Sequence, residues 1–535
     1  MTIPQLDETP TLFLLIGFSM LFLWVVAVII STKQKDNWLC LGLLAIVFYE
    51  RLPLFLFNRE INPDESQMIT QGMTLWQDPA MFRSVDTTTG GPLNSYLITF
   101  VHLFGLPFDY RTGHLLATLL LISSIWLIFR ALSIKYDSSV ALYAVLPSAL
   151  FYAFAQHPDF THYASELVAV LIISGVFYLN VLFGKKQKNA YLFISGFLLA
   201  LLPIAKLQSL PIGFVLGLMF LYEIFLQPKK SSQKVAILVV GALTTVLILV
   251  GVLALFGTLD DFYTFYIKRN VLHQSDGSYL DSLLQFSKFI FSFDEVKLLF
   301  ISLLIVFGFK LLKRKKIIFN INHAFLLLLW LMTIFALTKS GSPYGHYLHF
   351  MHLPFAWLCA VLLFEVFKKV VNKLKIILLL LLIAPYPLKF IYQVAFHKNT
   401  SNYPTAWQLQ QTNVGNEIKK YAKSGEYLAV WGWRIDYHIE TQMPQATNTN
   451  HNPYEILTFG LTDLHRKRYL ADLQRNNPPV FVDATGKNCH WFVDRTKHGH
   501  EIFADLKNYI QNHYILANFV DDTRVYVRKD RMKNN

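Results

Sequence analysis

Carboxylates, one lysine and a set of histidines fall in four short segments, and their types suit acid–base and anion chemistry. The first segment reads Asn-Pro-Asp-Glu-Ser over 62–66 and sets Asp64 beside Glu65. Helical neighbours point roughly 100° apart, so one acid can face a cavity while the other fixes the backbone or binds a cation. A partly desolvated carboxylate has its pKa raised from about 3.9. That makes it a better general base, an effect typically worth about 10²–10⁴-fold in rate. The bland alternative is that both acids cap the helix that starts at Pro63, because acids favour first turns. Arg83, Asp86 and the run TTTGGPLNSYL (87–97) follow, with Gly90, Gly91 and Pro92 fixing a turn.

The second segment, HPDFTHYASELVAV at 157–170, carries Asp159, His162 and Glu166. A charge at helix depth costs about 2.5–3.5 kcal/mol on insertion scales, so Glu166 needs a partner or a role. His157 and His162 are potential metal ligands, but their spacing matches no metal motif. In the third, LLPIAKLQSLPIG at 201–213, Lys206 interrupts two apolar runs. It either snorkels to lipid headgroups or holds an anionic group as a compact point charge. The fourth, KSGSPYGHYLHFMHLP at 339–354, places His346, Tyr347, His349 and His352 at a helix start. Such residues are common at membrane interfaces and suit the rim of a cavity equally well.

The elements that must position these groups are hydrophobic helices. Of 535 residues, 54% are hydrophobic and 16% charged, with mean hydropathy +0.38, whereas a soluble protein carries about 25% charged residues. A bilayer core needs about 20 apolar residues per helix. Runs near 11–31, 38–57, 112–133, 139–155, 164–183, 209–226, 235–256, 296–311, 320–337, 347–367 and 375–392 meet or approach that length, and a shorter run lies at 190–205. Asp7 and Glu8 precede the first run and no small-residue cleavage site follows it, so it reads as a retained helix.

Alternate loops hold the cations: Lys33 and Lys35; Arg130 and Lys135; Lys185, Lys186 and Lys188; Lys229, Lys230 and Lys234; Lys313, Arg314, Lys315 and Lys316; Lys368, Lys369, Lys373 and Lys375. The positive-inside rule puts these loops in the cytoplasm. The loops 58–111, 156–163, around 206, 257–295 and 338–346, and everything after 393, then fall outside. The net charge of +13 is thus a matter of topology, and a nucleic-acid partner, which needs a basic soluble face, is not expected. Cys40, Cys359 and Cys489 offer no disulfide framework.

Residues 396–535 read as a soluble domain. Strands are expected at EYLAVWGW (426–433), PPVFVDA (478–484), YILANF (514–519) and TRVYVRK (523–529), and a helix over 405–425 closed by Gly425. Strands alternating with helices predict a small α/β domain with a mostly parallel sheet. PLNSYLITFVHLFGL (92–106) is expected to lie as an amphipathic interfacial helix. The expected fold class is therefore a polytopic α-helical membrane protein of about twelve transmembrane helices (1–395, first large outer loop 58–111) with an extracytoplasmic C-terminal α/β domain (396–535).

Taken in order, the acidic pair, the Gly-Pro-Leu stretch, the Ser-Glu-Leu helix start, Lys206 and His346-Tyr347 resemble the GT-C superfamily of integral-membrane glycosyltransferases. The similar branch is that of protein O-mannosyltransferases and the lipid A aminoarabinose transferase. The resemblance spans most of 38–392. AVWGW (429–433) followed by PQAT (444–447) resembles bacterial members with outer C-terminal domains.

The resemblance implies that Asp64, with Glu65 beside it, acts on the acceptor. Gly91–Leu93 corresponds to a family segment that often reads Lys-Pro-Pro-Leu. The Lys is absent here, which leaves the donor phosphate to another cation, Lys206 first and Arg83 second. His346 and Tyr347 correspond to a His-Tyr pair near the donor cavity, and Asp86, Asp159, His162 and Glu166 are further candidates for substrate contact. The implied donor is a polyprenyl-phosphate-linked sugar and the acceptor a glycan, lipid or protein, with inverting transfer at the outer face of the cell (inner) membrane. Neither a metal nor another cofactor is required. Three rival readings remain: a flippase of lipid-linked saccharides, which has little need for the acidic loop; a lipid-diphosphate-dependent oligosaccharide ligase, which would favour a cluster of outer arginines; and a non-catalytic relative of the same superfamily.

Overall fold

The computed structural model describes residues 11–31, 36–272, 279–312, 319–342, 344–368, 371–393, 408–457 and 461–532. The basic residues Lys33, Lys35, Lys313, Arg314, Lys315, Lys316 and Lys369 lie outside the described residues, as do 405–407 of the expected helix. Each of the twelve apolar runs forms helix. Among the described residues, eight helices are long and apolar enough to cross a membrane: Leu12–Ile30, Tyr110–Lys135, Leu167–Lys186, Leu207–Phe225, Ser231–Phe256, Ile321–Thr338, Gly345–Phe367 and Asn372–Tyr392. Ser138–Phe154 and Asn189–Ala205 are apolar but shorter. The run 38–57 is divided into Asp36–Glu50 and Leu52–Leu56 around Arg51.

The chain folds into two compact units that cut across the expected boundary at 395/396. The first comprises 1–56, 114–249 and 273–405; the second comprises 57–113, 250–272 and 406–535. The loop 58–111 thus belongs with the C-terminal segment. Backbone polarity explains this, since a polar loop without regular pairing must satisfy its N–H and C=O groups somewhere. Here Asp86 N donates to Asn448 O (2.6 Å), Asn450 Nδ2 to Gln67 O (3.1 Å), and Gln442 Nε2 to Phe108 O (3.1 Å).

In the first unit, helix Asn189–Ala205 meets the part of helix Ser231–Phe256 that precedes residue 250, with their backbones in contact. A Cβ on Gly196 would lie 1.9 Å from Leu238 O, and one on Gly241 2.1 Å from Phe193 O. Small residues permit this approach between membrane helices.

In the second unit, β1 (Leu428–Trp431), β2 (Val480–Asp483), β3 (Tyr514–Val520) and β4 (Thr523–Arg528) form a sheet ordered β1-β2-β4-β3. All four expected strands are present. Only β1 and β2 pair in parallel; β2–β4 and β3–β4 are antiparallel, which corrects the expectation of a mostly parallel sheet. The reason is local: Asp521 and Asp522 take positive φ and turn β3 straight back into β4, a hairpin that forces antiparallel pairing.

β1 and β2 are buried on both faces. Leu428, Val430, Val480 and Val482 face one core with Val414, Val525 and Val527; Ala429, Trp431 and Phe481 face another with Tyr469, Leu473 and Leu506. This is the period-two alternation of a strand. The expected helix over 405–425 is reduced to Asn413–Ile418, capped by Thr412, whose Oγ1 accepts from Gly415 N. The expected interfacial segment forms helix Pro92–His102 and packs on Pro63–Gln77: Thr99 Oγ1 donates to Gly72 O, and Ser95 Oγ to Gln71 Oε1.

Candidate functional site

Asp159, His162, Glu166, Lys206, His346 and Tyr347 come together in the first unit. Helix Asn189–Ala205 stops at Lys206, whose backbone is extended (φ −164°, ψ 117°). Lys206 Nζ stands 2.8 Å from Glu166 Oε1, with side chains only 5% and 0% exposed. It also donates to Ser165 Oγ at 2.6 Å and lies 5.6 Å from the Tyr347 ring centroid. An ammonium has three donors, so one remains uncommitted among the described residues. Glu166 Oε2 likewise has no hydrogen-bond partner among them.

On the other side of this group, Asp159 Oδ2 accepts from Gly345 N at 2.9 Å and Oδ1 lies 3.8 Å from His346 Nδ1. The His346 ring is 5.8 Å from that of His162 and 4.9 Å from that of Tyr347, edge to face in both cases. Burial pushes the Asp159 carboxyl up, but His346, followed by His162 and His157, outweighs it and holds Asp159 well below the usual carboxylate range. The site is therefore a nearly dry cluster of paired charges whose imidazoles and tyrosine ring share one wall.

Arg51 supports this wall, and sequence reasoning missed it. Its fully buried guanidinium donates to Thr118 Oγ1 (3.0 Å), Phe160 O (3.3 Å) and Thr161 O (3.0 Å). It thereby fixes the backbone between Asp159 and His162. The signal was available: an arginine within an apolar run is costly unless it has partners.

The acidic pair lies in the second unit and its two members differ. Asn62 caps helix Pro63–Gln77, Pro63 occupies its first turn, and Glu65 completes a capping box. Glu65 is fully buried and accepts from Ile61 N at 2.6 Å and Asn62 N at 3.4 Å. The bland reading thus describes Glu65. Asp64 is half-buried, and among the described residues its carboxylate makes no hydrogen bond or ion pair.

Asp86 and Arg83 are both engaged elsewhere than in an open site. Asp86 forms a bidentate pair with Arg269 (2.8 and 2.9 Å), and both are buried. Arg269 also lies 4.8 Å from the Tyr454 ring. Burial raises the Asp86 carboxyl, but Arg269 overrides it and lowers the pKa. Arg269 sits just after a π-helical stretch, Phe262–Lys268, an irregularity with no clear sequence signal. Arg83 pairs with Asp78 and is 43% exposed. The geometry thus makes Asp86 a tether between segments of the second unit and Arg83 a surface residue.

A further acid was missed. Glu60 is 22% exposed, accepts from Ser66 Oγ, and has Oε2 3.8 Å from His490 Nε2. Burial, and then the charge of Asp436, push its pKa up to about 8. Among the described residues, Asp483, His500 and Glu501 have the spacing of a metal-ligand set. Arg524 already pairs with both acids, reaching Asp483 Oδ2 at 2.8 Å and both oxygens of Glu501.

No protein-family model matches this sequence, and no curated protein matches it. Among solved structures, the chain is similar to the oligosaccharyltransferase of the archaeon Archaeoglobus fulgidus. In its complex with an inhibitory peptide and a dolichol-phosphate the identity is 12% and the TM-score 0.43, covering 84% of this chain and 70% of that one. The same enzyme tethered to an acceptor peptide matches at 11% identity and TM-score 0.43, with the same coverage. The functional reading of this chain rests on its own residues.

Proposed function

We propose that this chain is a multi-pass membrane glycosyltransferase of the GT-C type. It would move a sugar from a polyprenyl-phosphate carrier to an acceptor hydroxyl at the extracytoplasmic face of the cell membrane. The observation that carries this reading is the buried cluster of the first unit, in which Lys206 retains one uncommitted N–H among the described residues while paired with Glu166. A donor placed in a dry, charge-paired site is what a leaving phosphate needs, because such groups act there with little reorganisation. The motif order of the sequence supports the same class, and the alternation of basic loops supports the outer location.

In the proposed step, Asp64 takes the proton of the acceptor hydroxyl. The oxygen attacks the anomeric carbon, the bond from that carbon to the phosphate oxygen breaks, and polyprenyl phosphate leaves with the electron pair. A single displacement inverts the anomeric centre. Lys206 meets the charge that builds on the departing phosphate, and His346 and Tyr347 line the donor side. Phosphate is already a good leaving group, so the step as written calls on no metal.

The test is release of labelled sugar from a polyprenyl-phosphate carrier by the full chain in lipid nanodiscs. Asp64→Asn, with unchanged melting, should lose transfer by about 10²-fold or more, the scale of a missing general base. Wild-type transfer by Asp64→Asn would remove Asp64 from the mechanism. Turnover of a diphosphate-linked donor but not a monophosphate-linked one would replace the reading with the ligase class.

A further inference from the structure

The second unit carries an aromatic row that the reaction scheme does not use. β1 ends at Trp431, and Gly432 turns the chain with φ +114°, a conformation open to glycine but rarely to other residues. Gly432 N donates to Asn452 Oδ1 at 2.9 Å, which fixes the turn and aims Trp433. The Trp433 ring lies 4.9 Å from His451 and 5.2 Å from Trp491. Exposure rises along the row, from 5% at His451 through half-buried Trp433 to 52% at Trp491.

The inner end of the row is tied to the helix that carries Asp64: Asn450, next to His451, donates Nδ2 to Gln67 O at 3.1 Å, and the charge of Asp64 acts on His451. The outer end is flanked by polar groups. His490 is exposed and lies 3.8 Å from Glu60, and Arg434 holds the adjoining loop by donating to Asn488 O at 3.0 Å. An exposed indole continued inward by a second, half-buried one, with polar groups around it, offers a ligand both apolar and polar contact.

The chemistry of this row selects among acceptor classes. A pyranose has an apolar face of axial C–H bonds and a rim of hydroxyls. It therefore matches an exposed indole, Trp491, whose chain neighbour His490 and the Glu60 carboxyl beside that imidazole add polar groups. An acyl chain needs a continuous apolar groove, which Glu60, Arg434 and His490 interrupt. A peptide bound in extended form adds to a sheet edge through backbone hydrogen bonds, and the row offers side-chain faces instead.

We propose that Trp491, Trp433 and His451 form the acceptor subsite and that the acceptor is a saccharide, its ring against the tryptophans and its hydroxyl directed toward Asp64. This rests on the reading of Asp64 as the acceptor's base. Trp491 and Trp433 bind and position the acceptor and take no part in proton transfer.

The experiment uses membranes that contain the full chain and the native envelope, supplied with polyprenyl phosphate carrying a radiolabelled sugar. Label is partitioned into saccharide, lipid and protein fractions, and slow hydrolysis of the donor by water is followed separately. Label should enter the saccharide fraction. Trp491→Ala should lower transfer at limiting acceptor about tenfold, the loss of one aromatic contact worth roughly 1.4 kcal/mol, through acceptor KM. Donor hydrolysis and melting should stay unchanged, and Trp491→Phe, which keeps a ring, should recover most of the transfer. Label in the protein or lipid fraction would overturn the saccharide assignment. So would an unaltered acceptor KM in Trp491→Ala. Failure of the wild type to consume the donor at all would instead overturn the glycosyltransferase reading, and with it this one.

Discussion

Lys206 Nζ and Glu166 Oε1 stand 2.8 Å apart, and both side chains are out of reach of solvent. The pair joins the end of helix Asn189–Ala205 to the start of helix Leu167–Lys186. Breaking a buried pair by removing one partner costs about 3–5 kcal/mol, because the other charge is left uncompensated. Lys206→Met should therefore destabilise the first unit by about that much and abolish transfer. Adding Glu166→Gln removes the orphaned charge. The double variant should recover its melting temperature but not its turnover. Thermal melts and donor consumption, measured on both variants, separate the structural role of Lys206 from its chemical one; recovery of turnover in the double variant would assign Lys206 a structural role alone.

Asp64 and Glu65 should respond differently to substitution. Glu65→Ala removes the capping-box acceptor and should cost about 1 kcal/mol of stability. Glu65→Gln preserves the cap, since Gln serves at that position, and should keep both fold and transfer. Asp64→Asn should keep the fold and lose transfer. Chemical denaturation and transfer assays on the three variants check the division; a Glu65→Gln variant that folds but is inactive would return Glu65 to the chemistry.

Asp86 holds the second unit together through Arg269. Asp86→Ala leaves the buried guanidinium unpaired and should cost about 3–5 kcal/mol. Limited proteolysis should then cut the segments 57–113 and 250–272 sooner than in the wild type. Unchanged protease resistance would show that the pair contributes little to the unit.

Glu60 should make stability depend on pH. Its folded pKa of about 8 lies above the ordinary carboxyl value of 4.5, the result of burial, then of Asp436, with Glu65 adding and Ser66 and Arg434 opposing. The folded state thus holds a proton that the unfolded state releases. This contribution is fully present below about pH 4.5 and is lost as the pH rises through about 8. Melting temperature should fall across that window, with His490 titrating beside it, and Glu60→Gln should flatten the fall. An equal slope in the variant would assign the dependence to other groups.

Much of the local structure was legible in the chain. Apolar runs of bilayer length dictate helices because an unpaired backbone has no partner in hydrocarbon. The four strands were readable from short runs of Val, Phe, Tyr and Trp between turns. Asn62, Pro63 and Glu65 spell a helix start, and the structure uses them as one. The bounds of the C-terminal unit were not readable in this way, because hydropathy separates apolar from polar sequence and says nothing about which polar segments share a core. Residues 57–113 join 406–535 through hydrogen bonds such as Asp86 N to Asn448 O, and 250–272 join 57–113 through the Arg269–Asp86 pair; such contacts leave no periodic trace.

The same division applies to the candidate site. Sequence alone determined which residue types stand at helix ends: Glu166 and Lys206 are conspicuous because charge beside apolar runs is costly and must be matched. Only the tertiary structure decided which charges are matched to one another. Glu166 takes Lys206, Asp86 takes Arg269, Arg83 takes Asp78 and Glu65 takes the backbone N–H groups of Ile61 and Asn62 just ahead of its helix. Pairing depends on distance in space and on loss of solvent, and neither is encoded in the local spacing of residues.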